Sequence, residues 1–266
     1  MTWTERIARA LVWVIGVAVS IYLMAPLFVT IAVSFSDSSV FNLPPPSWSL
    51  RWYEALAHKR GFLPALGLSV QIALISTGIS LVFGTLAAIA VVRGRFPGRE
   101  AISTFVVSPL MMPGLVIGIA LLQFLREIGF RDAYTGLILG HVIVTLPFVM
   151  RTVQASLSLF DFTLIDAART LGLSYPRALI KVLVPVLSPA YLSSGLFAFL
   201  ASMDNYPISI FLTDARNKTL PIQILEYLEV RPDPTIAAIS SLLILLTIIV
   251  LLISDRLVGL RRMADF

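Results

Sequence analysis

The sequence predicts an all-α integral membrane protein with six transmembrane helices and both termini on the same side. Three observations carry this. Charged residues make up only 13% of the 266, against about a quarter in soluble domains. Six charge-free runs, 10–36, 61–92, 101–125, 133–150, 182–203 and 235–254, reach the ~17–25 residues that cross ~30 Å of hydrocarbon. The ten-residue alternation of a transmembrane barrel is missing. With no water in the bilayer core, the backbone must satisfy itself, and runs of this length become helices.

The predicted helices are 11–34, 63–92, 101–125, 134–157, 186–212 and 235–254, in one transmembrane domain over 1–266. The first run is longer than a signal-peptide core and no small-residue cleavage site follows it, so it is a retained helix. An outer loop with three consecutive prolines follows. Its Trp48, Trp52 and Tyr53 suit the headgroup level. Helix 2 is long enough to require tilt or an extension beyond the bilayer. Helix 3 contains "SPLMMPGLVIGIALL", whose prolines and glycines predict a broken or kinked span. Helix 4 carries His141 and Pro147. Helix 5 starts after Pro185 and carries Asp204 and Asn205, and helix 6 leads into a basic tail.

Of the 20 Lys and Arg, 12 fall on the side of the termini, Arg6, Arg261 and Arg262 among them. The other side has 8, including Arg60 and Arg231. The bias places both termini in the cytoplasm. The net charge of +5 therefore speaks to topology and not to nucleic acid. With no cysteine there is no disulfide framework, thiolate metal site or cysteine nucleophile.

The connection between helices 4 and 5, about 158–185, is more than a turn. Its stretch "DAARTLGLSYPRALIKVLVP" starts at Asp166. Ile165, Ala168, Leu171 and Leu173 are spaced to share a helix face. Gly172 suits a left-handed C′ position. Ser174 suits an N-cap with Pro176 in the first turn of a second helix ending near Pro185. The result is a cytoplasmic helix–turn–helix elbow. From the pattern alone, an amphipathic elbow that merely caps the bundle is the alternative.

The pattern Asp166-Ala167-Ala168, Gly172, then Val182-x-Val184-Pro185 resembles the EAA loop of permease subunits of binding-protein-dependent ABC importers. Asp stands here for the usual Glu, and Val for the usual Ile and Leu. The resemblance implies a type I ABC importer permease architecture in the inner membrane of a prokaryote, with the elbow as the coupling helix. It implies that Ala167, Ala168 and Leu171 supply the docked surface and that Asp166 offers a carboxylate to a partner or a helix N-terminus. Gly172 would make the turn, and Pro185 would set where helix 5 starts. The implied partners are a second permease subunit (a different chain), two cytoplasmic ATPase subunits, an extracytoplasmic solute-binding protein and the lipid bilayer. The chain has no G-x-x-x-x-G-K-[ST] loop. It is therefore expected to bind no cofactor and to be no enzyme itself, with ATP and magnesium on the partner ATPase.

Within that family the segments "PTIAAISSLLILLTIIVLL", "SMDNYPISIFLT" and "LPIQILEYL" look most like the spermidine/putrescine-type permeases, whose relatives also carry phosphonate, ferric iron or sulfate. Asp204 supports a cationic solute, because a carboxylate in a span must face the bundle interior or water. Asn205 beside it departs from the two adjacent acids usual in those permeases. The candidate translocation path is Asp204, Asn205, Tyr206, His141 and Gln71. His141 is read first as a neutral histidine bonded to a neighbouring helix, and Gln71, Gln123 and Tyr206 as helix glue or path lining. The Met111-Met112 pair is read as flexible packing. A self-sufficient secondary transporter would show inverted repeats or midplane charge pairs. An intramembrane enzyme would show a catalytic constellation. Neither appears in the sequence.

Overall fold

The computed structural model describes residues 3–59, 61–230 and 232–264. Arg60 and Arg231 of the charge comparison lie outside the described residues, as do the side chains of Arg6, Arg261 and Arg262. The described residues are helical throughout apart from loops and one isolated antiparallel bridge, Ser36 to Trp48. They cluster into two compact units, Met1–Arg60 with Glu226–Ile249, and Gly61–Leu225 with Val250–Phe266.

The first unit contains α1 (Trp3–Ser34) and α2 (Arg51–His58). The start of α13 (Thr235–Ala264) also belongs to it. α1 is lipophilic and exposed along nearly its whole length. The loop after it folds back on itself. The Trp52 indole N–H donates to the Ser36 carbonyl at 2.8 Å, and the Tyr53 and Ser34 hydroxyls meet at 2.7 Å. Trp48 is 70% exposed, as expected of an interfacial anchor, whereas Trp52 is 6% exposed. Satisfying its indole N–H inside the loop makes Trp52 a plug, not an anchor.

The second unit is built on α3 (Phe62–Arg93), α6 (Ala133–Ser158) and α10 (Ser188–Met203). Along α3 the buried positions Ser76, Ser80, Gly84 and Ala88 recur every four residues, giving a seam of small side chains. A Cβ on Gly84 would lie 2.9 Å from a Val149 methyl and 3.2 Å from the Met150 backbone nitrogen, so the helices touch at backbone distance.

Four stretches are long and apolar enough to cross a membrane: Ile7–Ser34, Phe62–Arg93, Ala133–Ser158 and Thr235–Ser254. Two bent pairs supply the rest of six. Predicted helix 3 is α4 (Arg99–Val107) with a 3-10 turn (Ser108–Met111), then α5 (Gly114–Glu127), bent by 111°. The break falls at Met112-Pro113, where the second proline of the run opens α5. The second pair, Tyr175–Val186 with Ser188–Met203, is bent by 74°, so predicted helix 5 (186–212) begins at the bend and the arm before it lies in the predicted loop. Predicted helix 5 itself divides before α11 (Tyr206–Leu212). α12 (Leu220–Val230) completes the elements, its first backbone N–H donating to the Ser69 hydroxyl at 2.8 Å.

Candidate functional site: a cytoplasmic elbow and a broken span

The elbow follows α6. α7 (Thr163–Thr170) is opened by Asp161, whose carboxylate accepts the Thr163 N–H at 2.9 Å. That backbone donor, helped by the Thr163 side chain, holds the Asp161 carboxyl below its ordinary range. At the other end Gly172 takes φ +93°. Its N–H bonds the Arg169 carbonyl at 3.0 Å, and the Leu173 N–H bonds the Ala168 carbonyl at 3.2 Å. Together these form a Schellman C-cap. Ser174 then takes the N-cap position of α8 (Tyr175–Ala178) with Pro176 in its first turn, although its hydroxyl makes no capping bond.

Ile165 and Ala168, 0% and 8% exposed, face the core around Val91, Val153, Leu157 and Leu183. Ala168 is thus a packing residue of the elbow, correcting its assignment to the outer surface. Leu171 does not share that face. At 100° per residue it lies a third of a turn from Ile165, and it is 87% exposed. The outward surface is carried by Ala167 and Leu171. The Asp166 carboxylate is committed within the chain, to Arg93 at 3.3 Å and Arg169 at 3.7 Å. The Arg93 guanidinium also lies 4.6 Å from the centre of the Phe162 ring.

Pro185 does not start helix 5. α8 runs through a π-turn (Leu179–Leu183) into α9 (Val184–Val186), which contains Pro185, and the chain bends only at Leu187. The π-turn loosens the bonding register where the proline has no N–H to give. Pro189 occupies the first turn of α10, the position a proline fits without loss.

The second feature is the break between α10 and α11. Asp204 ends α10 and Asn205 caps α11, its side-chain oxygen accepting the Ile208 N–H at 3.1 Å. The cap explains an asparagine here, since an amide oxygen serves as well as a second carboxylate. Asp204 is exposed, and among the described residues its carboxylate has no hydrogen-bond or ion-pair partner. Tyr206 is half-buried at the start of α11. α11 is seated on glycines. A Cβ on Gly118 would lie 3.0 Å from the Pro207 carbonyl oxygen and 3.1 Å from the Ile208 Cα.

His141, 2% exposed, reaches both sides of this break. Its Nδ1 lies 2.6 Å from the Ser202 hydroxyl on α10, and its Nε2 lies 3.0 Å from the Ser209 hydroxyl on α11. The Ser76 hydroxyl on α3 reaches Ser202 at 3.3 Å. Gln71 is exposed on α3 and joins none of this. The structure therefore brings His141 beside the Asp204–Tyr206 segment and leaves Gln71 apart. Ser202 and Ser209 went unread in sequence because their partner is 61 and 68 residues away. The glycine seat did have a signal, the Gly114-x3-Gly118 spacing of close helix contacts.

At the far end of α6, a cavity of about 420 Å³ is lined by Arg126, Arg131, Asp132 and Asp214 with Phe130 and Phe211. Asp132 caps α6, accepting from the Thr135 hydroxyl and N–H, which lower its pKa.

Residues 80–262 match the family described as binding-protein-dependent transport system inner membrane component. The chain is 30% identical over 238 residues to the spermidine/putrescine transport system permease protein PotC of Escherichia coli (strain K12), covering 90% of each chain. It is 29% identical to the putrescine transport system permease protein PotI of the same organism, over 84% of this chain and 82% of that one. Among solved structures, a chain of a bacterial ABC transporter that imports the acidic polysaccharide alginate shares the fold. Its TM-score is 0.74 at 18% identity, with 96% of this chain and 98% of that one covered. These matches and the multi-pass helical architecture agree: the chain belongs to the family of inner membrane components of binding-protein-dependent transport systems.

Proposed function

We propose that the chain forms half of the translocation path of an ATP-driven importer for a polyamine of the spermidine/putrescine class, in a prokaryotic cytoplasmic membrane. A second permease subunit forms the other half. Two cytoplasmic ATPase subunits, which hold the ATP and magnesium, dock on the elbow, and an extracytoplasmic binding protein delivers the solute. The observation that carries the cationic solute is Asp204, an exposed carboxylate without a partner among the described residues, set at a break in a membrane span. Such a group is costly to keep in a membrane, and it gives an ammonium in transit a counter-charge. The permease proteins PotC and PotI support the same class of solute.

The test is solute-stimulated ATP hydrolysis by the reconstituted complex with its binding protein, offering spermidine, putrescine, a phosphonate and sulfate. Stimulation by a polyamine, weakened in Asp204→Asn, is the expected result. Stimulation by an anion alone overturns the polyamine reading. A complex that carries no ATPase overturns the importer reading.

A further inference from the structure

The hydroxyl protons around His141 can be assigned by counting donors. Ser209 donates its one proton to the Asn205 carbonyl, four residues back. Its oxygen can therefore only accept from the imidazole, which places the ring proton on Nε2. In the neutral imidazole Nδ1 is then an acceptor, and Ser202 must give it its proton. Each bond of the imidazole is directional, and each ends on a different helix: Ser202 is the next-to-last residue of α10 and Ser209 the fourth of α11. Between them lie only Met203, the break residues Asp204 and Asn205, and the first residues of α11.

Rotating α11 about the break would separate the imidazole from one hydroxyl or the other. In a membrane interior no water replaces the lost partner. We infer that His141 is a positioning residue for Asp204: by joining Ser202 to Ser209 across the break, it fixes the direction in which the unpartnered carboxylate is presented. His141 does not touch the solute. The role of Asp204 as a counter-charge rests on the polyamine reading above, whereas its being held by His141 does not.

The chain has no cysteine, so Asp204→Cys gives a single reporter in a complex whose other subunits are cysteine-free. Its reaction rate with a water-soluble cationic thiol reagent is measured alone and combined with His141→Leu, and with the milder Ser209→Ala. The expected result is a rate changed about fivefold with Ser209→Ala, the factor that corresponds to one buried hydrogen bond, and by more with His141→Leu, which removes two. A rate unchanged in both overturns the positioning role. The companion measurement is the KM and turnover of polyamine transport in His141→Leu, Asp204→Asn and the double variant. KM should rise with turnover little altered, and His141→Leu should add nothing once Asp204 is Asn. Additive effects of the two substitutions overturn the proposal. If the labelling rate shifts but Asp204→Asn leaves polyamine KM untouched, His141 still holds Asp204, and it is the polyamine reading that fails.

Discussion

Arg93, the last residue of α3, donates to Asp166 of α7 at 3.3 Å across 73 residues of sequence, tying the elbow to the end of a membrane helix. The pair is 31% and 56% exposed. Solvent screening leaves it worth about 0–1 kcal/mol, with up to ~1 more from the Phe162 ring. Arg93→Ala should therefore scarcely move the melting temperature. It should instead speed amide exchange in residues 163–173, and Arg93→Lys should recover only part of the protection, because an ammonium keeps the charge but not the planar stacking.

Leu171→Asp is expected to leave the permease's own stability within about 0.5 kcal/mol, the usual range for an exposed site. On the proposed docking, it should abolish copurification of the ATPase. An ATPase that remains bound would remove Leu171 from the docked surface.

Gly172 meets nothing within 4 Å of a built Cβ, so any loss on substitution comes from its φ of +93° alone. Gly172→Ala should cost about 1–2 kcal/mol, and Gly172→Asn less, since asparagine tolerates a left-handed C′. Thermal unfolding of the two variants side by side checks the order.

Gly118 and Gly195 should respond in opposite directions to alanine. At Gly118 the new methyl meets the backbone of α11, an overpacking of about 1–3 kcal/mol. At Gly195 its nearest neighbour is a Leu81 methyl at 3.5 Å, ordinary contact, and the helix gains about 0.5–1 kcal/mol in propensity. Unfolding midpoints of both variants in the same detergent decide it.

Asp132 has a carboxyl pKa lowered from 3.8 chiefly by the Thr135 hydroxyl. A depressed carboxylate contributes stability that is present above its unfolded pKa and lost as pH falls through the folded one. Amide protection at Thr135 should therefore hold at neutral pH and decline only below the ordinary carboxylate range. Asp132→Asn, which keeps an acceptor that does not titrate, should flatten that decline.

Helix positions were legible because charge-free runs and the bilayer impose the same length. The start of α6 was read to one residue, at 134 for an observed Ala133. The break in helix 3 was legible because two prolines announce it. The elbow's turn was legible because one glycine at C′ determines a Schellman cap. What escaped depends on partners distant in sequence. That Asp166 faces Arg93, and that His141 reaches Ser202 and Ser209, follows from how α3, α6, α10 and α11 pack. Leu171 was misplaced on the face of Ile165 and Ala168 by a drift of phase, since residues at i, i+3 and i+6 do not stay on one line along a helix. Pro185 misled because the π-turn absorbed it and left the bend to Leu187.

The 74° bend at Leu187 makes the elbow and α10 the two arms of a crank. A thrust along the first arm projects only cos 74°, about 0.28, onto the axis of the second, so nearly all of it appears as a sideways swing. α10 is 16 residues long, roughly 24 Å at 1.5 Å per residue, and Asp204 sits at its tip. A rotation of about 5° about Leu187 would carry that tip, and the Asp204 carboxylate with it, sideways through roughly 2 Å. On the proposed docking, a small displacement of the elbow would thereby emerge as lateral travel at the end of α10 that carries the charge.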